Sequence, residues 1–95
     1  MIERHITFAV HADRTEDFER FFTEQYRPPA LEMPGLIEVS LLREAEHADR
    51  YQMVFRWDEA EQAVAWRVSE AHQALQPGLN ELHAGMEITA YTKVA

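Results

Sequence analysis

The sequence predicts an α+β fold of the ferredoxin-like type, β-α-β-β-α-β, with an antiparallel four-stranded sheet covered on one face by helices. Three observations predict it. Four segments alternate apolar and polar residues at strand period, and two others carry apolar residues at helical spacing. Their order along the chain is strand, helix, strand, strand, helix, strand. The third observation is length: 95 residues hold one domain, residues 1–95, with no internal repeat and no low-complexity tract.

The first strand places Ile2, Ile6, Phe8 and Val10 in one phase and His5, Thr7, Ala9 and His11 in the other. Asp13 followed by Glu16 has the spacing of a capping box. Phe18, Phe21, Phe22 and Tyr26 then predict a helix from Thr15 to about Arg27, which Pro28 and Pro29 interrupt or restart and Pro34-Gly35 terminates. In the second strand Ile37, Val39 and Leu41 oppose Glu38, Ser40 and Leu42. A polar connection from Glu44 to Arg50, of hairpin length, leads to the third strand, where Tyr51, Met53, Phe55 and Trp57 oppose Gln52, Val54 and Arg56.

Asp58 with Glu61 reads as the start of a second helix running from Glu59 towards Gln76. If it were continuous, Ala60, Val64, Val68, Ala71 and Leu75 would share a face and Trp66 would point away. A break at Ser69, with that serine capping a new helix from Glu70, resolves the conflict and is the expectation adopted. Pro77-Gly78 predicts a turn, Leu79 and Leu82 are a last apolar pair, and Met86 to Val94 alternates as the fourth strand.

The sheet face turned away from the helices is expected to carry Ala9, Leu36, Leu42, Val54 and Tyr91 among Glu38, Arg56, Glu87 and Lys93. A half-apolar face is costly in water, and a chain this short buries only about two-thirds of its unfolded surface alone. A homodimer through the sheet faces follows as an expectation. The formal charge of −8 has the wrong sign for phosphate backbones and anionic lipid, so nucleic acid and membrane surfaces are not expected partners. With no Cys there are no disulfides, thiolate nucleophiles or Cys-based metal sites. No signal-peptide stretch opens the chain and no run is long enough to span a bilayer, so the expected location is cytoplasmic.

Pro34-Gly35 before a strand, Arg50-Tyr51 opening the next, Trp57-Asp58-Glu59-Ala60, Trp66, Ser69, His72 and the Leu75 to Leu82 tail together resemble the antibiotic biosynthesis monooxygenase family of dimeric α/β barrels. The resemblance covers nearly the whole chain and rests on order and spacing. It implies a monooxygenase that acts without a cofactor on a small hydroxylated aromatic or quinol-type substrate with O₂. Relatives include haem-degrading enzymes and proteins with no known reaction, so a haem-binding, haem-degrading monooxygenase and a non-enzymatic barrel that binds a small hydrophobic metabolite are the alternatives.

Trp57 matches the Trp that ends the third strand in that family. Its indole can stack on a planar ligand or simply pack the core. Tyr51 and Phe22 are candidate packing contacts for the same aromatic ligand. His72 is the candidate catalytic residue: it matches a His after the helix break that resembles the axial ligand of haem-degrading relatives. It lies about 80° from the centre of the apolar helix face, at the border of core and solvent, where a neutral imidazole can accept a phenol proton or remain a surface residue. His5 falls where haem-degrading relatives have Asn, and its strand phase turns it away from the helices. Neither His5, His11, His47 nor His83 shows metal-ligand spacing, so no metal is expected, and no phosphate loop or nucleophile elbow is present.

Overall fold

The computed structural model describes residues Met1–Ala95 and contains strands β1 (Ile2–Val10), β2 (Leu36–Arg43), β3 (Arg50–Trp57) and β4 (His83–Thr92). Helices α1 (Thr15–Phe21), α2 (Arg27–Leu31), α3 (Ala60–Val68) and α4 (Glu70–Asn80) lie on one face of the sheet, and a π-helical turn (Phe22–Tyr26) joins α1 to α2. The strand order is β2-β3-β1-β4 with every neighbour antiparallel. This is the predicted ferredoxin-like sheet. In the single chain it stays open, with β2 and β4 at its edges. No helix is long and apolar enough to cross a membrane.

The core lies between the helices and the phases that the alternation assigned. Phe8, Val10, Tyr51, Met53, Phe55 and Trp57 from the sheet meet Phe18, Phe22, Tyr26, Ala63, Trp66 and Leu79 from the helices, and no polar or charged residue is fully buried. Each large apolar side chain withdrawn from water in this way contributes about 1.5–3 kcal/mol.

Several boundaries differ from the sequence reading, each for an identifiable reason. The apolar phase of β2 begins at Leu36, not Ile37. Leu36 pairs with Trp57 and packs on the core, whereas Ile37 is 49% exposed, because the register shifts by one residue between Leu36 and Glu38. The residue at the start of α1 is Arg14 with no side-chain cap, so Asp13 and Glu16 form no capping box. At α3 the start is one residue later than Asp58: the Glu59 N–H donates to Gln62 Oε1 at 2.9 Å. Gln62 folds across Gly35, whose φ of +82° and absent Cβ make that approach possible.

The helix does restart at the prolines. Pro28 and Pro29 occupy the first turn of α2, where missing N–H groups cost least, and the preceding turn is widened so that the Arg27 N–H reaches the Phe22 carbonyl. The expected turn at Pro77-Gly78 is absent. Both residues lie inside α4, which runs on to Asn80 because Leu79 and Leu82 still have core to bury against. Gly78 is there for closeness: a Cβ on it would sit 2.9 Å from the Phe21 ring. Consequently β4 starts at His83, three residues earlier than expected.

Candidate active site

The break at Ser69 builds the site. Ser69 adopts an extended conformation between α3 and α4, its Oγ donates to the Trp66 carbonyl at 2.7 Å, and the same oxygen accepts from the His72 N–H at 3.1 Å. One hydroxyl thus ends α3 and caps α4. Because α4 starts in a new direction, Ala63 and Trp66 turn into the core while Val64 and Val68 face solvent. Trp66 and His72 are brought edge to face, with ring centroids 5.1 Å apart at 69°.

These two rings border a cavity of about 290 Å³ between the sheet and α3 and α4. Trp57 and Phe55, stacked 6.1 Å apart with an interplanar angle of 1°, form the sheet wall. Tyr26 stands edge-on to Trp66 at 5.7 Å, and Met86 and Ile88 of edge strand β4, both nearly half exposed, form the outer rim. Two charged side chains reach the lining, Arg4 from β1 and Arg67 from α3.

The polar groups here are poorly satisfied by the protein itself. Trp66 Nε1 and His72 Nδ1 are buried without a well-formed hydrogen bond, with the Tyr26 hydroxyl and the Arg67 carbonyl beside them but poorly placed. Gln76 Nε2 lies 3.4 Å from the His72 carbonyl, an acceptor, and 3.2 Å from His72 Nε2. The amide orientation that serves the carbonyl makes His72 Nε2 an acceptor too, and so assigns the ring proton of the neutral imidazole to Nδ1. Burial is the main cause that lowers the His72 pKa below its ordinary value. The Arg67 carbonyl works in the other direction, and the charges of Arg4 and Arg67 push it lower again. Burial also pushes the Tyr26 hydroxyl up to about 12, against smaller opposing effects of the Trp66 indole and Arg4. The site therefore presents a neutral imidazole and a neutral phenol in an aromatic enclosure.

Of the residues singled out by sequence, Trp57 and His72 meet in this cavity and Tyr51 and Phe22 do not. Tyr51 and Trp57 share a row on β3, but six residues at ~3.3 Å each separate them by about 20 Å, too far for one small ligand. Tyr51 and Phe22 instead line an open groove of about 550 Å³ between the π turn and β2. There the Tyr51 hydroxyl donates to Glu19 Oε2 at 2.5 Å. His5 lies on the opposite sheet face, 2.6 Å from Glu3 and against Tyr91, remote from His72. Arg4 was missed, although the signal was present: it is the one charged residue in the apolar phase of β1.

A family model described as antibiotic biosynthesis monooxygenase matches residues 1–78. Among solved structures, a provisionally assigned antibiotic biosynthesis monooxygenase from Bordetella bronchiseptica is 26% identical with a TM-score of 0.88, covering 99% of this chain and 97% of its own. A similarly assigned protein from Nitrosomonas europaea is 17% identical, covers 100% of both chains and has a TM-score of 0.88. SnoaB, a cofactor-independent oxygenase from Streptomyces nogalater, is 21% identical with a TM-score of 0.83, covering 97% of this chain and 91% of its own. A sequence search of curated proteins finds no match.

Proposed function

The chain belongs to the antibiotic biosynthesis monooxygenase family, and on that premise we propose that it is a homodimeric, cofactor-independent monooxygenase of a small hydroxylated aromatic. The observation that carries the reading is the place of His72, a half-buried imidazole whose pKa burial lowers, at the edge of an enclosure walled by Trp57, Phe55, Trp66 and Tyr26. Likeness in fold to a cofactor-independent oxygenase supports the reaction class.

A phenolic substrate stacked on Trp57 gives its hydroxyl proton to His72 Nε2, after Gln76 swings aside. The resulting electron-rich anion passes one electron to O₂, and the two radicals combine at a ring carbon to form a C–O bond. The peroxide loses water as the ring C–H proton departs, leaving a quinone carbonyl. One oxygen atom enters the product, the other leaves as water, and the substrate supplies all four electrons. The protein's work is to bind, deprotonate and exclude bulk water.

The second sheet face supports the dimer. Val54 and Leu42 lie there beside a network in which Arg56 contacts Glu3 at 3.4 Å and Glu38 at 3.1 Å. Light scattering after gel filtration is expected to give twice the chain mass, and Val54→Asp to give a folded monomer. Turnover under ¹⁸O₂ tests the reaction: one labelled oxygen in the product is expected, and product without label overturns the assignment.

A further inference from the structure

The chain is acidic, with 17 Asp and Glu against 9 Lys and Arg, yet no carboxylate lines the cavity and two arginines do. Elsewhere every arginine but Arg27, which lies over the Phe22 ring, is paired with a carboxylate. Arg14 and Arg20 pair with Asp17, Arg43 with Glu19, Arg50 with Glu44, and Arg56 with Glu3 and Glu38. Arg4 and Arg67 make no ion pair and no side-chain hydrogen bond. Both line the same cavity, and after burial the charge of Arg67 is the next cause that disfavours the charged form of Arg4. Position in the last turn of α3, where a cation suits the helix dipole, accounts for Arg67 alone. It leaves unexplained an arginine in the apolar phase of a central strand.

Two like charges that line one apolar cavity, without a carboxylate beside them, are stabilised by an anion that reaches both. We infer that the ligand of this cavity is a planar aromatic carboxylate, whose ring lies along Trp57 and Phe55 and whose carboxylate is held by the guanidinium groups of Arg4 and Arg67. The planar guanidinium fork matches a carboxylate, and the aromatic walls match the ring to which it is attached. A volume near the lower end of the ~300–1,000 Å³ typical of ligand pockets suits a molecule of a few fused rings.

The inference deepens the proposed function and rests on its placing of the ligand in this cavity, but not on turnover. Its test therefore uses probes that carry no hydroxyl: 2-naphthoate and its neutral isostere 2-naphthamide, titrated into the full chain by calorimetry at neutral pH. Naphthoate should bind at least about tenfold tighter than naphthamide, as expected for charge-assisted recognition. Arg4→Met and Arg67→Met should each weaken naphthoate by about tenfold and leave naphthamide within about twofold, whereas Arg67→Lys keeps most of the preference. Thermal melts verify that the variants are folded, and Arg67, exposed on a helix, tolerates exchange even if Arg4 does not. Equal affinity for the two probes, equal weakening of both by the variants, or no naphthoate binding at millimolar concentration would overturn the inference. A charge preference in a protein that consumes no O₂ supports it while overturning the monooxygenase reading.

Discussion

The two concave regions on the helix side of the sheet differ in how their polar groups are satisfied. In the groove beside the π turn, Tyr51 donates to Glu19, Glu19 faces Arg43 at 3.7 Å, and Arg27 lies over the Phe22 ring at 5.6 Å. In the cavity under α4, the Trp66 indole N–H and His72 Nδ1 have only the poorly placed Tyr26 hydroxyl and Arg67 carbonyl beside them, and Arg4 and Arg67 have no carboxylate partner. A buried donor left unpaired costs about 1–3 kcal/mol, so the cavity holds free energy that a ligand can recover and the groove does not. The larger opening is thus lined by groups already paired, and the smaller one by groups that a ligand can pair.

The largest expected effect on the fold is that of Trp57→Ala, because Trp57 is fully buried on β3 and forms the cavity wall. Urea unfolding should show a loss of about 3–5 kcal/mol. In the groove, Tyr51→Phe keeps the ring and removes one hydrogen bond to a half-exposed carboxylate, so about 1 kcal/mol is expected, with O₂ consumption retained. Equal losses of turnover in Tyr51→Phe and in cavity variants would erase the distinction between the two regions.

The cavity also predicts a pH dependence that the groove does not. Because burial lowers the pKa of His72, the unfolded chain takes up its proton at higher pH than the folded one. Stability is then insensitive to this group above its ordinary pKa of 6.5. It falls as pH drops from there towards the lower folded value and levels off below it. His83, shifted the same way by burial, adds to the slope. Thermal melts from pH 7.5 to 5 should show the decline, and His72→Gln should reduce it. For turnover, the acid limb of kcat/KM should fall below 6.5. The groups facing the imidazole are Arg4 and Arg67, charged throughout, and Tyr26, neutral throughout.

A smaller effect sharpens the placing of the proton. Gln76 donates to the lone pair of His72 Nε2 and so favours the neutral ring. Gln76→Met should move the acid limb of the rate profile upward, towards 6.5, with little change in stability. A downward shift would mean that the amide is turned the other way.

Much of this was legible in the residues. Alternation in β1 and β3 assigned the core phase, and the conflict between Trp66 and the Val64, Val68 stripe exposed the break at Ser69, because helix periodicity and an N-cap residue are local signals. What failed was tertiary. The bulge that exchanges Ile37 for Leu36 depends on pairing with β3, and the helical Pro77-Gly78 depends on core contacts of Leu79 and on Phe21 pressing against Gly78. Tyr51 and Trp57 share a strand phase, which says which face they join but not that they line two separate cavities. Arg4 was open to detection as a charge out of phase with its neighbours.

Oxygen uptake in the presence of a panel of hydroxynaphthalenes, without added flavin, metal or reductant, tests the central claim most directly. Wild-type protein should consume one O₂ per substrate oxidised without releasing hydrogen peroxide. His72→Ala, folded by its melt, should be slower by roughly 10²–10⁴-fold, the usual contribution of a positioned base. Unchanged uptake in His72→Ala, or none by the wild type across the panel, would contradict the account.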